Sequence, residues 1–344
     1  MPATIKDIAK KVGVNPSTVS RVINGTASIS EETKQKIKEA MMELDYHPNS
    51  LARSLVNGST FTIGLVIDAG NSDAFSNAFF IRSVSAIEAV TQGNGFNLLI
   101  TSNTDKENSN AVKNLILEKK VDGIILPVSA ASKELVDLLL VNQFPFIVMG
   151  EPDTIEEGIH WIDMDNQRGA EDAVTYLYKH GYRKPLLLVE NQTTMFERKR
   201  IKGFQIAVEK NGCDVSKTMV VDCGTDGSDV YSELNMIFRK NIEFDSIICT
   251  NNIVAFQALK YFKEKRLRVP EEIGMVTFDN YPLAEYMDPP LTVVDVDTYK
   301  LGEEAANELF SLIHGSKQKR KEMLLSTRII ERESTKKGER SKIE

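Results

Sequence analysis

The sequence of 344 residues is long enough for two or three domains, and its 42% hydrophobic and 26% charged content is ordinary for a soluble globular protein. It has no apolar run near the roughly 18 residues of a membrane span, no secretory signal and no CxxC spacing among its three cysteines, which favours a cytoplasmic protein without disulfides or a metal site. The net charge of −7 argues against nucleic-acid binding. Residues 1–30, however, carry four basic side chains and one acidic side chain, so this N-terminal segment is locally basic.

The first 46 residues predict three short helices. TIKDIAKKVGVN has Thr4 as its N-cap, three residues before Asp7, and carries an apolar stripe at i, i+3, i+4, i+7 spacing. NPSTVSRVING places Pro16 at the first helical position, and a third helix opens at Ser30. Two short helices joined by about four residues around Gly13 match a helix-turn-helix. A three-helix bundle that binds protein, or nothing, has the same pattern.

A helix-turn-helix sets the N-terminal end of its second helix in the major groove of DNA. Arg21 then offers a bidentate fork to a guanine edge, and neighbouring hydroxyl and amide side chains reach phosphates. In the bundle interpretation, Arg21 is a solvated surface charge. The predicted DNA-contacting residues of this segment are Thr4, Pro16, Ser17, Thr18, Ser20, Arg21 and Asn24.

The segments TIKDIAKKVGVNPSTVSRVING and SEETKQKIKEAMMELDYHPNSLARSL resemble the head of the LacI/GalR family of bacterial transcription regulators. The likeness covers the first 58 residues without a gap. It implies a DNA-binding domain over 1–46 and a hinge helix over 47–58, whose paired copies enter the minor groove through Asn49, Ala52 and Leu55. In that role Leu55 is an apolar wedge that opens a base step. On pattern alone, the stretch is a linker that packs its leucines on the body.

From residue 59 to residue 334, apolar β-rich runs alternate with amphipathic helical patterns, which predicts parallel sheets covered on both faces. Two sets of four strands, divided near HWIDMD at 160–165, predict two similar α/β subdomains, with LTVVDVD and LLSTRII as returning crossovers. The pattern resembles the type I periplasmic-binding-protein fold. The expected boundaries are an N-subdomain at about 60–161 and 296–324, a C-subdomain at about 163–293 and 326–334, and a disordered tail at 335–344.

Ligands of such folds bind at the carboxyl ends of strands, between the subdomains. The segments SNAFF, RIKGF, TNN and TFDN resemble the family motifs SNPFF, RxxGF, TND and GFDD or GFDN. An aromatic wall with a guanidinium, an amide and a carboxylate suits a small hydroxylated ligand such as a sugar, and the guanidinium leaves a sugar acid or sugar phosphate open. The resemblance implies effector contacts by Phe79, Phe80, Arg200, Asn251 and Asp279.

The predicted function is a homodimeric transcription regulator, a repressor of carbohydrate catabolism genes, that binds a pseudo-palindromic double-stranded operator and needs no cofactor. Two alternatives stay open at this point. One is a helix-turn-helix fused to a catalytic domain such as a sugar kinase, although no GxGxxG, GxxxxGK[ST] or GxSxG motif is present. The other is a stand-alone sugar-binding transport component, which the missing signal and the head oppose.

Overall fold

The computed structural model describes residues 3–23, 29–47, 54, 58–68, 78–103, 111–153, 158–212, 220–315 and 322–337. The chain divides into two compact units, Met1–Phe61 and Thr62–Glu344. Four predicted DNA contacts, Asn24, Asn49, Ala52 and Leu55, lie outside the described residues, so the hinge helix stays a prediction.

The first unit consists of helices α1 (Ile5–Val12), α2 (Pro16–Ile23) and α3 (Glu31–Glu43). At the start of α1, the Asp7 carboxylate accepts hydrogen bonds from the backbone N–H and the hydroxyl of Thr4, at 2.9 and 2.6 Å, and these bonds lower the pKa of Asp7. Gly13 ends α1 with φ 76°, the left-handed conformation that glycine adopts without strain. The predicted helix starts after Thr4, at Pro16 and after Ser30 are confirmed.

The three helices pack around Ile8, Val19 and Ile37, one from each helix, and none of these side chains has exposed surface. Ile8 belongs to the apolar stripe that the sequence predicts for α1. The arrangement buries the apolar faces and leaves the polar face of α2 outward, as a helix-turn-helix requires.

The second unit contains two six-stranded sheets within the described residues. The strands of the first are β1 (Thr62–Asp68), β2 (Asn97–Asn103), β3 (Gly123–Pro127), β4 (Phe146–Met149), β5 (Trp161–Met164) and β11 (Glu322–Leu325), in the order β11-β5-β4-β3-β1-β2. Those of the second are β6 (Pro185–Val189), β7 (Val220–Asp222), β8 (Ser246–Cys249), β9 (Gly274–Phe278), β10 (Thr292–Asp295) and β12 (Arg328–Ile330), in the order β12-β10-β9-β8-β6-β7. Every pairing is parallel except that of β10 with β12.

Helices cover these sheets, and each sheet has a separate apolar core on either face, as the continuous apolar runs predict. The helices are α4 (Ala78–Gly93), α5 (Ala111–Leu117), α6 (Lys133–Val141), α7 (Asn166–Lys179), α8 (Met195–Lys210), α9 (Val230–Arg239), α10 (Asn252–Glu264) and α11 (Thr298–Ile313). Over the described ranges, no helix is both long and apolar enough to cross a bilayer.

The prediction of four strands in each sheet is wrong, because each has six. HWIDMD, near which the subdomains were expected to divide, contains β5. The polar Asp163 interrupts the apolar run, so the sequence does not reveal this strand. LLSTRII is a returning crossover, as predicted, because it passes from the end of β11 in the first sheet to β12 in the second, but it contains two strand segments that were not predicted. Neither strand is longer than four residues, too short for its period to be distinctive.

The predicted disordered tail begins at Thr335, but the structure buries that residue at 1% exposure. Its hydroxyl lies 2.8 Å from the Tyr176 hydroxyl, and the neighbouring Ser334 hydroxyl donates to the Met275 carbonyl at 2.6 Å. Serine and threonine residues are common in linkers, so the sequence does not show that these two hydroxyl groups form hydrogen bonds with distant parts of the chain. Residues 335–337 are therefore part of the fold.

The contact between α7 and α8 depends on Gly203, because a Cβ there would lie 2.0 Å from the Gln167 carbonyl oxygen. Backbone cannot yield as a flexible side chain does, so Gly203→Ala is expected to lower the free energy of unfolding by about 1–3 kcal/mol. Chemical denaturation measures the change. Gly93→Ala is the matched control, since nothing lies within 4 Å of its Cβ position. Equal stability of the two variants would contradict the close contact.

Candidate functional site

Polar side chains converge at one edge of the second sheet, where β6, β8 and β9 lie side by side and end. Glu190 follows β6, Thr250 and Asn251 follow β8, and Asp279 follows β9. Because parallel strands point the same way, their carboxyl ends bring these residues together. Asp279 has φ 68°, in the left-handed region that aspartate enters more readily than most residues.

Arg200 is held inside this edge at 6% exposure, from the second turn of α8. Its Nε donates to Asn166 Oδ1 at 2.9 Å, and its Nη1 donates to the Thr250 carbonyl. Nη2 lies 3.9 Å from Asp279 Oδ1. The Cζ atom lies 4.0 Å from the ring centroid of Phe278, a cation–π distance. The structure therefore excludes the interpretation of Arg200 as a surface arginine.

One turn before Arg200, the Glu197 side chain has no exposed surface. Its Oε1 accepts from the Thr250 hydroxyl at 2.6 Å and from the Glu190 backbone N–H at 3.4 Å. Burial raises the pKa of Glu197 to about 7, although Arg200 and the Thr250 hydrogen bond act in the opposite direction. Glu197 is thus a buried acid whose charge state is sensitive to whatever binds beside it.

The first sheet contributes a further carboxylate, Asp163 at the end region of β5. It accepts from the backbone N–H groups of Met164, at 2.7 Å, and Glu151, at 3.0 Å. Burial raises the pKa of Asp163, whereas these two bonds and the charge of Arg200 lower it. The charge of Arg200 therefore interacts with carboxyl groups from both sheets.

Two ion pairs connect the start of α8 to the chain segment after β4. Lys199 Nζ lies 2.7 Å from Glu151 Oε1, and Arg198 pairs with Asp153. With Arg200 and Asp163, these pairs place the carboxyl edges of the two sheets opposite each other. We call the space between these edges the cleft.

Asn251 reaches the cleft, but both ends of its amide are engaged inside the protein. Its Oδ1 caps α10 by accepting from the Val254 N–H at 2.9 Å, and its Nδ2 donates to Glu190. Next to it, Asn252 Nδ2 donates to the Asp279 carbonyl at 3.1 Å. The Asp279 side chain is 21% exposed, and burial raises its pKa while Arg200 lowers it.

The two phenylalanines of the predicted aromatic wall are not placed with the polar effector contacts in the described structure. Phe80 is half-buried on α4 and packs against the core of the first sheet, which is the core interpretation that the sequence left open. The side chain of Phe79 lies outside the described part of the chain. Of the five predicted effector residues, the structure brings together Arg200, Asn251 and Asp279.

On the helix-turn-helix, Pro16, Ser17 and Arg21 are exposed, as the groove prediction requires. Thr18 and Ser20 are half-buried on the same helix. The Thr4 hydroxyl, predicted to contact DNA, donates to Asp7 at the helix cap.

Sequence reasoning missed Glu197 and Asp163. An acidic residue in the first turn of a helix is normally a solvated side chain that favours the helix dipole, so Glu197 gives no sign of burial. One signal was available: Glu197 lies three residues before Arg200, hence on the same helix face.

A helix-turn-helix before an α/β body with a ligand cleft is the architecture of a class of transcription regulators. Two family models match this chain: bacterial regulatory proteins of the lacI family over residues 4–49, and a periplasmic binding protein-like domain over residues 174–335. The HTH-type transcriptional regulator MalR of Streptococcus pneumoniae serotype 4 is 31% identical over 347 aligned residues, which cover 96% of this chain and 100% of MalR. The chain belongs to the lacI family of bacterial regulatory proteins.

Two solved structures have a similar fold. A complex of the transcriptional regulator CelR with cellobiose has a TM-score of 0.73 at 25% identity, covering 96% of this chain and 99% of CelR. The Lac repressor dimer bound to operator and the anti-inducer ONPF has a TM-score of 0.78 at 22% identity, covering 97% and 99%, and this likeness shows the fold alone. The family is one of transcription regulators, so the kinase and transport alternatives are wrong.

Proposed function

We propose that this protein is a cytoplasmic, dimeric repressor of carbohydrate catabolism genes whose operator affinity depends on a small hydroxylated effector in the cleft. The observation that carries the proposal is Arg200, buried among polar groups that converge from both sheets. The cleft divides an N-subdomain, about 60–161 and 296–324, from a C-subdomain, about 163–293 and 326–334.

The ion pairs across the cleft supply a way to couple effector and DNA. Lys199 with Glu151, and Arg198 with Asp153, hold the two edges in one arrangement. An effector that binds one arrangement more tightly than another shifts the population of subdomain positions. Such a shift is proposed to change the fit of the two DNA-binding heads to their operator half-sites.

The carboxylates around Arg200 discriminate among effector classes. A sugar presents hydroxyl donors to Asp279, whereas a sugar acid or sugar phosphate adds a negative charge beside Glu197 and Asp163. The two anionic classes are therefore disfavoured. One similar structure, that of CelR, contains the neutral sugar cellobiose.

A second copy of the chain is the proposed partner for three exposed apolar side chains, Ile253 on α10 and Leu283 and Tyr286 in the turn after β9. Their exposed fractions are 48%, 50% and 80%. The Phe256 and Tyr281 rings, 6.3 Å apart, bring α10 and the turn after β9 together. A self-complementary patch gives a two-fold dimer, which matches the symmetry of a pseudo-palindrome.

Operator selection from a random duplex library tests the DNA half of the proposal. The wild-type chain is expected to select a pseudo-palindrome. Arg21→Ala is expected to weaken binding by about 1–3 kcal/mol and to relax preference at one position of each half-site, because the guanidinium reads a base edge. The comparison variant is Thr18→Val, which is expected to weaken all sequences alike.

Binding is measured at one fixed salt concentration, since phosphate contacts are salt-dependent. If Arg21→Ala changes neither affinity nor base preference, the placement of α2 in the major groove is wrong. If the wild-type chain selects no sequence, the proposed function itself is wrong.

A further inference from the structure

Three buried acceptor oxygens in the cleft have no hydrogen-bond donor within the described structure. They are Glu197 Oε2, Asn252 Oδ1 and Asp279 Oδ1. A buried polar atom without a partner costs about 1–3 kcal/mol, and such atoms are uncommon in native proteins. Glu197 and Asn252 are 0% and 9% exposed, so bulk water is not the partner. Unpaired acceptors at a ligand-binding edge indicate a ligand that donates hydrogen bonds.

The charges of the cleft indicate the kind of donor. On α8, Arg198 and Lys199 pair with Asp153 and Glu151, whereas Arg200 acts on the interior acids. Burial raises the pKa values of Asp163, Glu197 and Asp279, and Arg200 opposes that rise in all three, so one guanidinium acts on three carboxyl groups.

A further carboxylate, Glu190, raises the pKa values of both Glu197 and Asp279. Arg200 also has Nε and Nη1 committed to Asn166 and the Thr250 carbonyl. The described part of this interior is therefore rich in carboxyl groups, and a bound cation would stabilise their ionised forms.

We propose that the effector carries a protonated amine beside its hydroxyl groups, and that the amine binds against Glu197 and Asp279. An ammonium group has three N–H donors and no acceptor, so it can donate hydrogen bonds to buried oxygens that lack a donor. A hydroxyl group brings one donor and two lone pairs, and no charge. The ligand class is an amino sugar or a related polyhydroxylated amine. This inference rests on the proposed effector site and narrows its ligand.

A panel of matched compounds tests the inference on the full-length chain. The panel contains glucosamine and galactosamine, their N-acetyl derivatives, glucose and galactose, and gluconate and glucose 6-phosphate. Thermal shift and calorimetric titration are the measurements. At least one free amine is expected to bind about tenfold more tightly than its N-acetyl and hydroxyl counterparts, because a charge-assisted hydrogen bond contributes about 1.5–3 kcal/mol.

Glu197→Gln keeps the side-chain shape and removes the charge, so it is expected to abolish the preference for the amine. Glu209→Gln, at an exposed position on the same helix, is the matched control and is expected to keep that preference. Should Glu197→Gln fail to fold, the wild-type comparison between amine and counterparts decides the question.

The inference is overturned if no amine of the panel binds, if neutral or anionic members bind as tightly, or if Glu197→Gln keeps the preference. Stabilisation by Mg²⁺ or Ca²⁺ alone, with no amine binding, overturns it as well. Operator binding distinguishes failure of this inference from failure of the proposed function. If the chain binds its operator and responds to neutral sugars, the proposed function stands and the amine ligand is wrong. If the chain selects no operator, the proposed function itself is wrong.

Discussion

Arg200→Ala is expected to lower the free energy of unfolding of the second unit by about 3–5 kcal/mol, the cost of leaving a buried charge without its partner. The guanidinium lies at 6% exposure and opposes the rise that burial causes in the pKa values of Asp163, Glu197 and Asp279. Its removal strands these carboxyl groups together. Urea denaturation followed by circular dichroism measures the loss.

The loss is expected to depend on pH. Burial already raises the pKa of Glu197 to about 7 in the folded chain, and loss of Arg200 raises it further. The folded state then holds a proton that the unfolded chain has released above its own lower pKa. Stability therefore falls as pH rises between those two pKa values, so the deficit of Arg200→Ala is larger near pH 8 than near pH 5.

Arg198→Ala is the matched control, two residues earlier on the same helix. Arg198 is 44% exposed in its pair with Asp153, and exposed ion pairs contribute about 0–1 kcal/mol. Equal losses for the two variants would show that Arg200 is not the charge partner of the buried acids.

Asp279→Asn is expected to reduce effector affinity by about 10- to 100-fold. Asn tolerates the left-handed backbone at φ 68° and preserves the side-chain shape, so the variant removes the charge and little else. A hydrogen bond to a charged group contributes about 1.5–3 kcal/mol, which corresponds to that range of affinity. Calorimetric titration with the tightest-binding panel compound gives the value.

Asp288→Asn controls for the loss of a carboxylate, because that side chain is 91% exposed in its pair with Lys263. Its effector affinity is expected to equal that of the wild type. Unchanged effector affinity in Asp279→Asn would remove Asp279 from the binding site.

The first unit is largely predictable from sequence, because helix boundaries there depend on local signals. Thr4, Pro16 and Ser30 each mark a helix start through capping chemistry that operates within a few residues. The body is predictable in class, since continuous apolar strands between amphipathic helices require a covered parallel sheet. Short strands such as β5 and β11 are not predictable from sequence. Pairing with segments distant in the chain stabilises them, and their own residue pattern is too short to identify them.

The candidate site was predictable where a motif marks it and not where burial creates it. RIKGF, TNN and TFDN resemble family motifs, and Arg200, Asn251 and Asp279 meet at one sheet edge. Glu197 and Asp163 acquire their raised pKa values from desolvation, which depends on segments distant in sequence. The clustering of these carboxyl groups, on which the proposed ligand charge rests, arises only in the folded chain.

We propose that one chain couples effector binding in the cleft to DNA binding. Fluorescence anisotropy of the selected operator, titrated with the full-length protein at one salt concentration, tests it most directly. A saturating concentration of the tightest-binding panel compound is expected to change the operator Kd by about tenfold or more, a coupling of about 1–3 kcal/mol, and to change it little for Asp279→Asn. An operator Kd that is the same with and without the compound, in a wild-type protein shown to bind both, would contradict the claim.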